Sequence, residues 1–379
     1  MNAGRQLELD IARGLAVLFM IIIHVQTYFA NARVMDTWFA GFNDFNGGIP
    51  AAPVFMFLLG IGINYTRNNN PALMAMRGVG LLCTAYLLNF VRGFVPYAIR
   101  SYCTADIDYL YRGFDALMSV DILQFSGLAM LLFALFHKLR ASNLSIALTA
   151  VLFSVWNIVL LPLQSDSLAA SALSGLLWGS HANSFFPFLT WVFYPIAGYL
   201  FGSLLIRCTN KRLLYALSGL TAALVFFGGS YLMSHLELQQ GSETAYYHHI
   251  VTDNIIYTGG VILELAILSF IAPFIPKSLQ NIAGRLSKNV TSLYCIQWVL
   301  ITWLTLVIPI NGLDMAWYVA LVIAIIVLSD SAATLYAQWQ ATEAVRQMST
   351  LALILAGTLI FAMITVTALP DIWRVLRTP

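Results

Sequence analysis

Three ionisable residues stand on one hydrophobic segment near the start of the chain. The stretch LDIARGLAVLFMIIIH, residues 9–24, carries Asp10, Arg13 and His24. Arg13 and His24 are eleven positions apart, which leaves them about 20° from alignment on a helix turning 100° per residue. Asp10 is three positions before Arg13, a neighbour on the same face. One stripe then holds Asp10, Arg13, Met20 and His24, with His24 roughly 16 Å beyond Arg13 along the axis. An ionisable residue within a span turns toward the bundle interior or a water-filled cavity, because facing lipid is costly.

Each member of the stripe has two readings. Asp10 and Arg13 are either an interfacial ion pair that caps the helix and marks its inner end, or part of a site. His24 is either a neutral histidine bonding a neighbouring helix or a catalytic base. Withdrawal from water keeps an imidazole neutral, which is the form a general base needs.

The elements that must position this stripe follow from composition. The chain has 379 residues, 60% hydrophobic and only 9% charged. That is too little charge to cover a soluble domain of this length. The expected fold is an all-α integral membrane protein, a polytopic bundle of about eleven transmembrane helices, since about 20 apolar residues cross the hydrocarbon core. The spans are expected at 11–29, 52–66, 72–91, 119–136, 144–162, 186–206, 213–234, 254–275, 290–309, 315–337 and 349–369. No repeat, low-complexity tract or long polar linker divides the sequence, so residues 1–379 read as a single transmembrane domain. The first apolar run follows Asp10 and Arg13 with no small-residue cleavage site, so no signal peptide is expected.

With the N-terminus in the cytoplasm, thirteen of the nineteen Lys and Arg residues fall inside, all four lysines among them. The positive-inside rule supports that orientation, with the C-terminus outside. The outer loop 92–118 is the exception, with three Arg and three Asp that either pair with each other or form a binding surface. Cys83, Cys103, Cys208 and Cys295 show no C-x-x-C spacing, so neither a disulfide framework nor a zinc site is expected.

Four stretches, in order, resemble the transmembrane acyltransferases: the heparan-α-glucosaminide N-acetyltransferase-like and YeiB-like proteins, and the wider acyltransferase family 3. LDIARGLAVLFMIIIH resembles their D-x-x-R-G-x-x-x-x-x-M opening. APVFMFLLGIG (52–62) resembles their second helix, DILQFSGLAMLL (121–132) their L-Q-x-x-G-[LIV]-A element, and AGRLSKNVTSLYCIQ (283–297) their late G-[KR]-x-S-L-x-x-Y element. FPFLTWVFYPIAGYLFG (186–202) is a looser match.

The resemblance implies acyl transfer from a cytoplasmic acyl-CoA, acetyl-CoA above all, to a hydroxyl or amine of an extracytoplasmic glycan or glycolipid. It implies Arg13, with Arg67 or Arg77, at the CoA phosphates and His24 removing the acceptor's proton. A donor at the developing oxyanion is then needed, for which Asn64, Asn89 and Gln124 qualify. The lysosomal N-acetyltransferase branch carries an Asn at the position of His24 and a histidine in the following outer loop. Residues 30–50 here contain no histidine, and Gln297 stands where many relatives have His. The arrangement is therefore closer to acyltransferase family 3. The expected setting is the bacterial inner membrane, with membrane lipid and a glycan acceptor as partners, no nucleic acid, and a homodimer compatible with the sequence.

Other polar residues have readings of their own. Asp121 is either the N-cap of the fourth helix or a catalytic partner orienting His24 or the acceptor. Arg92 is placed to pair with Asp121, and Asn89, Arg92 and Gln297 are candidate acceptor contacts. Glu264 and Asp330 lie within spans, where carboxylates are costly and often functional. With His24 they would relay protons in the alternative reading, a proton-coupled secondary transporter or exporter. A third reading is a silent member that only binds or flips a lipid-linked sugar. YYHH at 246–249 reads as an outer loop, solvated or facing a sugar, without the spacing of a metal site.

Overall fold

The computed structural model describes residues 6–66, 70–163, 168–179, 183–236 and 246–340. Among these residues the chain is helical with no strand, and its only β pairings are two isolated bridges, Ala30 with Leu313 and Val120 with Ser184. Seven described helices are long and apolar enough to cross a membrane, and Ile122–Lys138 and Val290–Leu304 are shorter apolar helices. The first helix, Leu7–Phe29, is 23 residues long. Leu217, Leu220, Leu224 and Phe227 are exposed on one long helix, and Ile323 and Val327 on another. Apolar surface of this extent suits hydrocarbon rather than water. The protein is an all-α polytopic membrane protein. The expected last span, 349–369, lies outside the described residues; the others fall on helices.

The chain forms two compact units. One comprises Met1–Arg67 with Phe193–Ala337, the other Asn68–Val192 with Gln338–Pro379.

In the first unit, Leu7–Phe29 is buried along Leu9, Ile11, Ala12, Ala16, Val17, Ile21 and Val25. Its early half joins a core with Phe57, Leu58, Ile61, Leu205, Val261 and Leu265. Its later half joins a second core with Leu293, Ile301, Tyr318 and Ile325. Small residues set the closest approaches, as in membrane bundles, where lipid is as apolar as leucine and packing supplies the attraction. A Cβ added to Gly14 would sit 3.0 Å from the Ala283 Cα. Helices Ala52–Tyr65 and Phe193–Arg207 meet backbone to backbone at Gly60 and Gly198, where an added Cβ would strike Pro195 or Phe57 main chain.

In the second unit, Pro71–Asn89 continues through a π-helical turn, Phe90–Phe94, into Val95–Thr104. Gly78 and Gly127 bring this rod against Ile122–Lys138; a Cβ on Gly78 would lie 2.8 Å from the Gly127 carbonyl. The expected outer loop 92–118 is thus not a loop. Val95–Thr104 and Asp108–Leu117 are both helical. The physical reason is the π turn, which lets the helix run on into Pro96, a residue that cannot donate a backbone hydrogen bond.

Candidate functional site

In the first unit, the charged end of the stripe is a bonded network. The Arg13 guanidinium donates to Ser287 Oγ at 3.3 Å and to the Leu58 carbonyl at 3.3 Å. Ser287 Oγ donates to Asp10 Oδ1 at 3.0 Å. Ser287 thus joins Asp10 and Arg13 to helix Lys277–Lys288. A buried charge is tolerable only with partners of this kind.

The other end of the stripe is half-buried His24. Gln297, fully buried on helix Val290–Leu304, places Nε2 3.3 Å from His24 Nδ1. The Trp298 ring lies 4.1 Å from the imidazole, centroid to centroid. Gln297 Oε1 is buried without a hydrogen-bond partner among the described residues. Carboxamide O and N are exchanged by a simple flip. The flipped orientation would accept a hydrogen bond from Nδ1–H and leave Nε2 as the basic nitrogen.

Gln26, two positions beyond His24, is also buried. It donates to Asp44 Oδ1 at 2.7 Å and accepts from Asn43 Nδ2 at 2.9 Å, while Asn43 also reaches Tyr318 Oη at 3.2 Å. Sequence reasoning passed over this cluster. Its signal was available: Gln26 is a polar residue inside the same apolar segment.

In the second unit, Asn89, Arg92, Asp121 and Gln124 form one knot. Arg92 Nη2 donates to Asp121 Oδ2 at 2.6 Å and to Asn89 Oδ1 at 3.1 Å. Asn89 Nδ2 donates to the Leu117 and Ser119 carbonyls at 3.1 and 2.7 Å. Asp121 accepts from the Ile122 amide at 2.7 Å, while Gln124 Oε1 accepts from the Asp121 amide at 3.1 Å, closing a capping box. The Asp121 cap and its pairing with Arg92 are therefore both present. Arg92 is not in a loop; it is the buried residue of the π turn and meets Asp121 at the start of helix Ile122–Lys138.

The remaining candidates are scattered. Asn64 Nδ2 donates to the Tyr199 carbonyl at 2.6 Å and so ties two helices together. Arg77 is exposed. Arg67 lies outside the described residues. Asp330, one of the three relay residues of the transport reading, is bound by Arg285, with Nε to Oδ1 at 3.1 Å. Glu264 is half-buried, and its Oε2 has no hydrogen-bond partner among the described residues.

YYHH is not a solvated loop. His249 is 2% exposed. Its Nδ1 meets the Tyr246 carbonyl at 2.8 Å, and its Nε2 meets Tyr194 Oη at 3.0 Å and Asn254 Oδ1 at 2.8 Å. Burial pushes its pKa below the ordinary imidazole value, against the opposing pull of the Tyr246 carbonyl and Asp253. Burial also lowers His248. Tyr246 Oη anchors the segment to the Gly48 carbonyl at 3.0 Å, which holds it out of solvent. Among the described residues no three His, Cys, Asp or Glu side chains gather as a metal site.

Residues 5–239 match a family model described as heparan-alpha-glucosaminide N-acetyltransferase, catalytic. The matched stretch contains Asp10, Arg13, His24 and the Asn89–Gln124 knot, and ends before Ser287 and Gln297. No curated protein and no solved structure matches the chain.

Proposed function

The chain belongs to the heparan-α-glucosaminide N-acetyltransferase catalytic family, and from that premise we propose that it moves an acetyl group from acetyl-CoA to a glycan or glycolipid across the membrane, with His24 as general base. The protein is a membrane acetyltransferase; the donor, the acceptor and the base are the proposal. The observation that carries it is the contact of His24 Nδ1 with Gln297 at 3.3 Å, on the helix whose other end holds the Arg13 network.

In the proposed reaction the acceptor hydroxyl or amine attacks the thioester carbonyl while His24 Nε2 takes its proton. The tetrahedral oxyanion then collapses with cleavage of the C–S bond, and the CoA thiolate takes the proton from His24 Nε2–H, which returns the imidazole to its neutral form. Gln297 accepts from His24 Nδ1–H and so sets the tautomer and the ring plane. Trp298, its ring 4.1 Å away and tilted by 34°, restricts the ring further. Arg13 already donates to Ser287 and Leu58, so its proposed part is to hold the donor's end of the stripe in place. Arg67 and Arg77 remain proposed contacts to the donor's phosphates. Asn64, Asn89 and Arg92 remain proposed acceptor-side groups, and Asp121 and Gln124 are proposed to position Asn89 and Arg92 within the second unit.

Calorimetry of acetyl-CoA with purified wild type, Arg13→Ala and His24→Ala tests the reading. Saturable wild-type binding that weakens with Arg13→Ala and survives His24→Ala is the expected pattern. Absence of binding by acetyl-CoA or longer acyl-CoAs to folded wild type would overturn it.

A further inference from the structure

The late stretch GRLSKN, residues 284–289, meets the first helix through Ser287. Leu286 and Ser287 are buried, yet the opposite side of helix Lys277–Lys288 is open. Asn281, Gly284, Arg285, Lys288 and Asn289 line a cleft there of about 220 Å³. Positions 281, 284, 285 and 288 are three or four apart, so they share one helical face.

The lining offers the exposed cation Lys288, the Asp330-paired Arg285 and two carboxamides, with Gly284 as a floor that adds no side chain. Asp330 holds the Arg285 fork from the side, which fixes its direction. Lys288 is exposed and has no ion-pair partner among the described residues. Asn289 is also the N-cap of helix Val290–Leu304, and its side chain makes no capping hydrogen bond. First-turn N–H groups of a helix left without a side-chain cap favour an anion.

The helix has the composition of an interfacial one. Leu279 and Ile282 are exposed apolar residues beside Lys277, Arg285 and Lys288. Such a helix lies where both soluble cosubstrates and lipid headgroups arrive.

We propose that the cleft lined by Asn281, Gly284, Arg285, Lys288 and Asn289 is a phosphate-binding site. The phosphates at the nucleotide end of acyl-CoA fit it, and that assignment rests on the acyltransferase reading. The phosphate of an anionic lipid headgroup carries the same chemistry and does not depend on that reading.

The test uses full-length protein in phosphatidylcholine nanodiscs, as wild type, Lys288→Glu, Asn281→Asp and the exposed control Lys138→Gln. Adenosine 3′,5′-bisphosphate is titrated by calorimetry, with adenosine as the uncharged comparison. The expected result is wild-type binding of the bisphosphate that weakens about tenfold or more in Lys288→Glu and Asn281→Asp and stays within about twofold in the control. A second arm measures retention of phosphatidylglycerol by native mass spectrometry. Loss of retained lipid in the two cleft variants, with bisphosphate affinity unchanged, supports the site and assigns it to lipid. Unchanged bisphosphate affinity together with unchanged lipid retention in both variants, each monodisperse, overturns the proposal. Acetyl-CoA titrated into wild type separates the two readings: no binding there, with variant-sensitive lipid retention, removes the donor and keeps the cleft.

Discussion

Gln297 Nε2 stands 3.3 Å from His24 Nδ1, joining two residues 273 positions apart in the chain. Gln297 is fully buried, whereas His24 is half-buried. The glutamine is therefore placed to orient the histidine from the protein side. Replacing His24 with Ala is expected to lower transfer about 10²- to 10⁴-fold, the usual worth of a positioned general base. Acetyl-CoA affinity should stay within about threefold. Gln297→Leu should lower kcat about tenfold with KM little changed, because it removes orientation and not binding. Steady-state kinetics beside calorimetry reads both; equal loss of binding and transfer in His24→Ala would sink the assignment.

Arg13 bridges two elements, so its conservative replacement is not conservative. A lysine presents one ammonium and cannot reach Ser287 Oγ and the Leu58 carbonyl as a fork. Arg13→Lys is expected to cost about 1–3 kcal/mol of stability, the range for losing hydrogen bonds to a charged group. Thermal unfolding in detergent measures it. An unchanged midpoint would mean that the network contributes nothing.

Arg92 and Asp121 should behave as one unit. Both side chains are 9% exposed and their charged atoms lie 2.6 Å apart. Removing one partner leaves a buried charge alone, at about 3–5 kcal/mol. Arg92→Met combined with Asp121→Asn should cost much less than the two single changes added together, with a coupling of about 2 kcal/mol in a double-mutant cycle. Strict additivity would argue against the pairing.

The buried imidazole of His249 makes stability depend on pH. Its folded pKa lies below the ordinary 6.5, through burial. Below about pH 6.5 the unfolded chain binds a proton that the folded chain refuses. Stability should then fall as pH drops from about 6.5 toward the folded pKa, and level off beneath it. His249→Gln should flatten this slope, leaving the contribution of His248, which burial shifts in the same direction. Denaturation midpoints across pH 5 to 8 give the comparison; an identical slope in the variant would remove His249 as the source.

The sequence by itself determined the class of protein and the stripe. Apolar runs of spanning length must form helices in lipid, because only internal hydrogen bonds satisfy the backbone there. The helical period then places Asp10, Arg13 and His24 on one face. The Asp121 cap was legible for the same reason, since an N-cap is decided within a few residues.

The tertiary structure alone decided the partners. Ser287 and Gln297 meet the first helix from more than 270 positions away, and no local period encodes that distance. The burial of His249 was equally invisible, because YYHH has loop composition and its partners Tyr194 and Asn254, with the Tyr246 anchor on Gly48, are set by tertiary packing. The pairing of Arg92 with Asp121 was legible in the sequence; what was not is the π turn that carries Arg92 inward and the helices that replace the expected loop over 92–118. Local propensity is short-ranged, whereas the neutralisation of a buried charge depends on which helices pack together.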